Sequence, residues 1–329
     1  MTGRRRRWTL ALAAAAVCGA VWWSRPGRMP TPAWAVADAW PVAAFDGGRS
    51  LAVFVRRGGV PQLWSLDPRT GGRRAVIEAG GWSSVGAALP DGRLLYGRNG
   101  PAAAVCVWDG ADSRVVATRG PSTAADALAA DAAGRGAGPP RESVAGVRVR
   151  GGVVEVVFET AAAGGSEAVL TQVRLDAGTF AELGRRDHVA DHSSEFLRDA
   201  WWTPGGFGAE GFAGLAEEFG PSDRPLTAEQ LRFASTAAAG ETLAVAAWYR
   251  RPDWRGVLDL AGLRERTACV VWRREGGRVR RILDARGAAF PGWHTERVVL
   301  SPDGRRLFVG LSRSPFGAGD QETRCYELE

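Results

Sequence analysis

The densest group of potential metal ligands comprises Asp187, His188, Asp191 and His192, with Glu195 just beyond them. On a helix, His188 and His192 would lie four residues apart on one face. A zinc or nickel site would also need a third well-placed ligand, and the same acids suit an ordinary solvated loop. We favour the surface loop and assign no metal, cofactor or catalytic residue to this stretch.

Serine hydrolysis is the second chemistry to consider, at residues 81–86, where Ser83 and Ser84 lie between glycines. No Gly-x-Ser-x-Gly frame fits these residues, so they do not form the nucleophile elbow of a hydrolase. His294 is the only histidine besides the pair already named, which leaves little material for a catalytic triad. Many lyases and lactonases rely on a central group of acidic residues or on metal ions. We identify no ring of acidic residues in this sequence that could play that part.

A third possibility is a binding site at residues 248–255, where Trp248, Tyr249 and Trp254 are interleaved with arginines. Aromatic faces beside guanidinium groups could hold an anionic peptide, a sugar or a partner protein. The structural interpretation is favoured, in which Trp248 and Tyr249 finish a core strand and the arginines are hydrated at the rim. We therefore assign no ligand-binding residue from the sequence, and the ligand-binding residues are left as unknown.

Cys106, Cys269 and Cys325 all lie at positions that are predicted to be strands. Their spacing contains no Cys-x-x-Cys motif, so neither zinc binding nor dithiol chemistry is predicted. One disulfide could form in an oxidising compartment. Buried free thiols in adjacent strands are the favoured interpretation.

The elements that must position these residues are short strands, because Gly-centred turns followed by apolar runs recur about every 50 residues. The clearest copies are Pro90–Gly92 and Ser301–Gly304. In the first complete unit, a continuous apolar run at 51–55 indicates an inner strand buried on both faces, and the more polar stretch at 74–77 indicates an outer edge. Asp and Gly suit the intervening turns, because Asp bonds to nearby backbone and Gly reaches positive φ.

These repeats predict an all-β protein, a β-propeller of about six four-stranded blades, with five or seven also compatible. The least complete blade begins at residues 201–206. The last unit ends after its third strand at 324–328, so we expect residues from about Trp34 to Trp40 to supply the missing outer strand and close the ring. A flexible insertion is predicted at 121–143, and a short helix is predicted to begin near the capping box at 227–230.

The hairpin at Ser301–Leu307 and the strand end at Trp64–Asp67 resemble the repeats of TolB-type and WD-repeat-like bacterial propellers. The likeness covers most of residues 42–329, and a Trp-Asp dipeptide occurs once among the repeats, at Trp108 and Asp109. The resemblance implies a propeller that binds mainly other proteins or envelope components. It transfers no catalytic residue.

The N-terminus has the pattern of an export signal or membrane anchor, because four arginines at 4–7 precede an uncharged, alanine-rich stretch at 8–23. As a helix this stretch covers about 24 Å, which is workable in a thinned bilayer. The arginines should stay cytoplasmic and place the C-terminal part outside. Possible cleavage motifs at 33–35 and 35–37 lie far beyond the apolar stretch, so an uncleaved anchor is favoured over secretion after cleavage. Cys18 fits a lipid-attachment motif badly and is interpreted as part of the anchor.

The formal net charge of +6 is accounted for by six arginines among residues 1–28, where no acid occurs. All 42 basic residues are arginine, which we interpret as the codon bias of a GC-rich genome rather than as selection for phosphate contacts. Nucleic acid is therefore not a predicted partner.

The sequence thus predicts a signal anchor at 1–28, a linker and ring-closing strand at 29–41, and a propeller domain at 42–329. The expected function is an envelope-anchored, extracytoplasmic scaffold that binds a protein or a ligand, in the cell membrane with a single span. The alternative is an exported hydrolase or lyase acting on a lactone, glycan or peptide. A sensor domain that reports through its cytoplasmic tail would share the same features.

Overall fold

The computed structural model describes residues 29–329 except 58–59, 81–84, 100–102, 137, 163–166, 192–230, 251–264, 288 and 314–319. The described residues contain the following strands and helix: β1 (Trp34–Ala37), β2 (Ala39–Phe45), β3 (Ser50–Arg57), β4 (Val60–Leu66), β5 (Arg73–Ala79), β6 (Gly86–Ala88), β7 (Leu94–Arg98), β8 (Ala104–Trp108), β9 (Ser113–Thr118), α1 (Thr123–Gly134), β10 (Arg141–Arg150), β11 (Val153–Ala161), β12 (Glu167–Asp176), β13 (Glu182–Asp191), β14 (Leu231–Ala239), β15 (Thr242–Arg250), β16 (Glu265–Glu275), β17 (Arg278–Gly287), β18 (His294–Leu300), β19 (Arg306–Ser312) and β20 (Gln321–Glu327).

The described strands form five antiparallel sheets of four strands each. Sheets I to IV take their strands in chain order: β2–β5 form sheet I, β6–β9 sheet II, β10–β13 sheet III and β14–β17 sheet IV. Sheet V has the order β1-β20-β19-β18, so its outer strand comes from the other end of the chain.

The strand that completes sheet V is the one expected from the sequence. Trp34 in β1 lies opposite Cys325 in β20, and Ala37 lies opposite Glu322. This strand stops at Ala37 and does not extend to residue 40, because Asp38 adopts a positive φ of 54° and turns the chain into sheet I.

Successive sheets face one another through their first strands, since β14 contacts β18, β18 contacts β2, β2 contacts β6, and β6 contacts β10. Each of these four interfaces is filled by buried apolar side chains. Examples are Val271 and Val309 between sheets IV and V, Leu51 and Phe308 between V and I, Phe45 and Tyr96 between I and II, and Val105 and Phe158 between II and III. Sheets stacked around innermost first strands are the blades of a β-propeller.

Residues 192–230 connect sheets III and IV and lie outside the described residues. The incomplete blade predicted near residue 201 and the helix predicted near 227 both fall in this gap. The described ranges therefore account for five of the predicted six blades.

Four of the five described first strands, β2, β10, β14 and β18, contain a β-bulge, which shifts the register by one residue. A bulge leaves backbone groups without their ladder partners. Side chains from a neighbouring sheet bond to backbone groups in or beside three of these bulges: Asn99 Oδ1 accepts from Val144 N at 2.7 Å, Ser235 Oγ accepts from Val298 N at 2.9 Å, and Arg297 Nη2 donates to the carbonyl of Val42 at 3.0 Å. These hydrogen bonds between neighbouring sheets add to the apolar contacts that hold the sheets together.

Because every sheet is an antiparallel meander, its connections alternate between two ends. We call the end that carries the first-to-second and third-to-fourth strand connections the turn end. Its connections are the short segments 46–49, 67–72, 89–93, 109–112, 151–152, 177–181, 240–241, 276–277 and 301–305. The opposite end, the loop end, carries the second-to-third strand connections and the segments that pass from sheet to sheet, of which the described ones include 119–136 and 289–293.

Helix α1 lies at the loop end, where the sequence analysis predicted a flexible insertion. The Ser122 side chain caps the helix by accepting from Ala125 N at 3.1 Å. Leu128 and Ala132 are buried together with Val169 of sheet III. The prediction was wrong because the alanine bias was interpreted as a flexible segment, although alanine has the highest helix propensity and Ser122 suits a helix N-cap.

Candidate functional site

Short turns closed by aspartate side chains build the turn end. Backbone hydrogen bonds from Asp112 and Thr179, respectively, hold the pKa values of Asp109 and Asp176 below the ordinary value. At two other turns the lowered pKa comes first from a guanidinium, that of Arg74 on Asp67 and that of Arg93 on Asp91. The carboxylates of these aspartates therefore accept hydrogen bonds from groups in or beside their own turns.

Neighbouring sheets also approach closely at the turn end. Gly304 has a φ of 66°, and a Cβ at this position would lie 2.4 Å from Thr242 Oγ1 in sheet IV. Gly71 likewise has a φ of 71°, and a Cβ there would lie 2.9 Å from the ring of Trp34. Only glycine fits these contacts, which lock sheet V against its two neighbours.

In sheet III, Phe180 occupies the turn position that Gly71 occupies in sheet I. Both residues donate their amide to the aspartate carbonyl at the start of the turn, at 2.8 Å. Phe180 adopts a φ of 60°, which a side chain of this size rarely takes. Its ring lies 5.4 Å from Arg93 Cζ and 5.3 Å from Arg114 Cζ, so cation–π contacts with sheet II accompany the strained backbone.

The loop end carries a β-turn at Phe290–Trp293, between sheets IV and V. Trp293 N donates to the carbonyl of Phe290 at 3.0 Å. Proline stands at the second position of the turn, and Gly292 stands at the third with a φ of 71°. This is the residue pattern of a type II turn, and it places Trp293 at the entrance to β18.

Both neighbouring sheets hold this turn in place. Phe290 is buried, and its ring centroid lies 6.3 Å from that of Tyr326 in sheet V. Its amide donates to Thr267 Oγ1 of sheet IV at 3.2 Å. Burial raises the pKa of Tyr326 to about 12, so this phenol stays neutral.

Two guanidinium groups lie against the Trp293 ring. Arg313 Cζ is 4.0 Å from the ring centroid, and Arg324 Cζ is 5.4 Å from it. Arg313 Nη1 also donates to the carbonyl of Gly292 at 3.0 Å, whereas Arg324 forms an ion pair with Glu322. Arg313 is exposed, and within the described ranges no carboxylate forms an ion pair with it.

Helix α1 is the second ordered feature of the loop end. The carboxylate of Asp187 accepts from Ser122 Oγ and from Thr171 Oγ1, both at 2.7 Å. Arg119 Nε donates to Glu142 Oε1 at 2.8 Å. These bonds attach the start of the helix to sheet III, and they give Asp187 a structural role.

The stretch considered as a metal site is a strand rather than a surface loop or a helix, since Asp187, His188 and Asp191 all belong to β13. The loop interpretation was wrong because these residues continue the pairing with β12. His192 and Glu195 lie outside the described residues. In the part of the chain that the structure describes, no three His, Cys, Asp or Glu side chains lie together as metal ligands would.

The other candidates from the sequence are dispersed. Trp248 and Tyr249 lie in β15, as the structural interpretation predicted, and residues 251–255 lie outside the described ranges. His294 is the first residue of β18. Ser83 and Ser84 also fall outside the described residues.

The three described cysteines are free and buried, which confirms the favoured interpretation. Each lies on the third strand of a different sheet, Cys106 on β8, Cys269 on β16 and Cys325 on β20, and not on adjacent strands. Burial raises the pKa values of Cys269 and Cys325 to about 12, so both remain protonated thiols.

A polar cavity of about 350 Å³ opens on sheet III. Glu155 forms an ion pair with Arg148 of β10 and lies 3.7 Å from Arg174 of β12. Gln172 accepts a hydrogen bond from Arg186 of β13. Charged and polar side chains from all four strands therefore line this surface of sheet III, whereas apolar side chains fill the described interfaces between sheets.

Trp293 and Arg313 were missed by the sequence analysis. The dipeptide of Pro291 and Gly292 marks a turn, and a tryptophan directly after it could have drawn attention to this position. No sequence signal connects it to Arg313, because that contact depends on the pairing of β18 with β19.

A membrane span is a separate question. No helix within the described ranges combines the length and the apolar character needed to cross a bilayer. The anchor predicted at residues 8–23 lies outside these ranges.

No protein-family profile matches this chain, and no curated protein matches it. Among solved structures, 165 chains match. Hydrazine synthase from Kuenenia stuttgartiensis is 15% identical, with a TM-score of 0.31, over 82% of this chain and 61% of its own. TolB from Acinetobacter baumannii is 12% identical, with a TM-score of 0.29, over 90% of this chain and 55% of its own. BamB from Moraxella catarrhalis is 13% identical, with a TM-score of 0.33, over 88% of this chain and 83% of its own.

The chain thus spans less than two thirds of the length of the first two structures. TolB, whose type of propeller the hairpins resemble, is one of these matches. At these identities and TM-scores the matches support no statement about activity.

Proposed function

We propose that this protein is an envelope-anchored, extracytoplasmic β-propeller of six blades that binds a protein or an envelope component at its loop end. Residues 8–23 form its uncleaved, helical anchor in the cell membrane. The arginines at 4–7 keep the N-terminus in the cytoplasm, and the propeller domain at 42–329 lies outside. The sixth blade is formed within residues 192–230, which connect sheets III and IV.

The difference between the two ends of the sheets carries this proposal. At the turn end, Asp109 and Asp176 bind the backbone of their own turns, and Gly304 permits close contact between sheets. At the loop end, α1 and the Phe290–Trp293 turn place polar and aromatic groups on a rigid support. Binding residues concentrate on connections of this kind, which a scaffold holds in place.

Location is tested with intact spheroplasts of cells that produce the full chain with a C-terminal tag. Added protease should digest the tagged domain while a cytosolic marker protein survives. After mild washing, the chain should stay with the membrane fraction. A domain that is protected until the cells are lysed would contradict the proposed location.

Binding is tested by co-purification from detergent-solubilised membranes. A component that binds at the loop end should be lost from the variant Trp293→Ser and retained by Arg49→Ser, which changes an exposed residue at the turn end. Loss from Arg49→Ser alone would contradict the assignment. Hydrolase turnover by the purified chain that disappears in Asp191→Asn would favour the exported enzyme instead.

A further inference from the structure

We propose that Arg313, stacked on Trp293 at the loop end of sheet V, binds a carboxylate, and that the ligand is an acidic peptide segment of a partner protein. The inference names the chemistry of the partner and therefore rests on the proposed function. Arg313, Trp293 and Arg324, together with Glu322, form the site.

The geometry leaves Arg313 ready for an anion. Its guanidinium lies 4.0 Å from the centroid of the Trp293 ring, which covers one face of the group. Nη1 is held by the carbonyl of Gly292 at 3.0 Å. The donors on Nε and Nη2 lie in the guanidinium plane, and such a pair of donors matches the two oxygens of a carboxylate.

The charges favour one monoanion. Arg324 lies 5.4 Å from the centroid of the same ring, and Glu322 pairs with it, so one of the two positive charges is already matched by a carboxylate. The neighbouring Asp320 accepts from the Arg313 amide through its backbone carbonyl at 2.9 Å. Within the described residues its side chain forms no ion pair with Arg313. One guanidinium suits a carboxylate better than a phosphate dianion, which draws on several cations.

The site is built before any ligand arrives. Phe290 is buried against Tyr326, which fixes the turn that presents Trp293. Gly292 has a φ of 71°, which suits glycine, and a Cβ there would lie 3.0 Å from Arg313 Nη1, so a side chain at this position would press on the guanidinium. Preorganisation of this kind lowers the ordering cost that a flexible surface arginine would impose on binding.

A peptide fits better than a small molecule because Arg313 is exposed on an open surface. Small ligands bind in concave pockets that enclose most of their surface. A carboxylate held by one exposed guanidinium gains little by itself. A peptide that carries several carboxylates can add contacts across the loop end.

The test measures fluorescence anisotropy of a fluorescein-labelled peptide of eight glutamates, with a peptide of eight glutamines as the uncharged probe. The full-length chain in detergent, at low salt, should bind the glutamate peptide at least about tenfold more tightly. Arg313→Gln should weaken that binding about fivefold, and Arg313→Lys should have an intermediate effect because it keeps the charge without the planar pair of donors. Arg49→Gln removes the same charge at the turn end and should change the affinity less than twofold.

Gly292→Ala provides a second variant that leaves the charge unchanged and strains the turn that holds Arg313, because its Cβ would sit at a φ of 71° and 3.0 Å from Nη1. It should weaken peptide binding while the thermal unfolding midpoint shows that the domain remains folded. Unchanged binding by Arg313→Gln, equal weakening by Arg49→Gln, or no preference for the glutamate peptide would overturn the inference. Tighter, Arg313-dependent binding of a polyuronate than of the peptide would overturn the choice of a peptide ligand.

The two proposals can fail separately. If a membrane partner is lost from Trp293→Ser but binds Arg313→Gln as it binds the unchanged protein, the loop end is the binding surface and the carboxylate inference is wrong. If the partner binds only the turn end, the proposed function is wrong, whatever the glutamate peptide does.

Discussion

At the turn end, Asp109 accepts hydrogen bonds from two amides of its own turn, and Gly304 lets two sheets meet at a distance that no other residue permits. At the loop end of the same sheets, Arg313 lies exposed on Trp293, and α1 is attached through the carboxylate of Asp187. The turn-end aspartate uses its acceptors within its own turn, whereas the guanidinium of Arg313 has no ion-pair partner among the described residues. The contrast separates the residues that hold the array together from those available to a partner.

The largest expected effect tests the steric lock at the turn end. Gly304→Ala should lower the free energy of unfolding by about 3 kcal/mol or more, because the new Cβ meets Thr242 and the backbone of Ala239. Gly276→Ala is the matched control, with a similar φ of 56° and nothing within 4 Å of the added atom. It should cost only about 1 kcal/mol of backbone strain. If urea unfolding gives the same loss of free energy for Gly304→Ala and Gly276→Ala, the close contact of Gly304 with Thr242 does not restrict this position.

The next effect concerns the innermost strands, which both ends depend on. Asn99→Ala removes the acceptor of the Val144 amide in the β10 bulge and leaves that buried donor unpaired. The free energy of unfolding should fall by about 2 kcal/mol. Thr118→Ala, an exposed change in the same sheet, should cost less than about 1 kcal/mol. Similar values for both variants in urea unfolding would contradict a bracing role for Asn99.

A smaller effect should be confined to the loop end. Ser122→Ala removes the cap of α1 and one hydrogen bond to Asp187, which should destabilise the helix by about 1 kcal/mol. In hydrogen exchange, residues 123–134 should exchange faster while the turn-end segments keep their protection. Thr123→Ala, one residue further on, should leave exchange nearly unchanged. Faster exchange throughout the domain would mean that the two ends are not separable.

The smallest effect is acid sensitivity of the turn end. The lowered pKa values of Asp109 and Asp176 stabilise the folded state above the pKa of the unfolded chain, about 3.9. This contribution is lost as pH falls through the lower folded values, when the carboxylates take up protons. The double variant Asp109→Asn, Asp176→Asn should therefore lose less of its thermal unfolding midpoint between pH 5 and pH 2.5, which are about one unit above and below that value. Thr123→Ala, an uncharged change at an exposed position of α1, should follow the unchanged protein, and identical curves for all three would contradict the assignment.

Local patterns in the sequence determine much of this fold. The turns at Gly92 and Gly304 were predicted because only Asp, Gly and similar residues suit such short connections. The pairing of β1 with β20 was predicted from an unfilled sheet edge. The buried thiols followed from the placement of the three cysteines in predicted strands.

The site could not be predicted in the same way. Arg313 meets Trp293 only through strand pairing, and Asn99 meets Val144 only because two sheets pack together. Helix α1 was missed because its glycine- and proline-flanked stretch was interpreted as flexible, although its alanines favour a helix. Contacts between residues far apart in the chain leave no local pattern to interpret.

Site-specific photo-crosslinking tests the contrast between the two ends most directly. A photoreactive residue replaces Asp320 at the loop end or Asp112 at the turn end, both of which are exposed, and intact membranes are irradiated. The account predicts that a discrete envelope component crosslinks from position 320 and not from position 112. Crosslinking from position 112 alone, or equally from both positions, would contradict it.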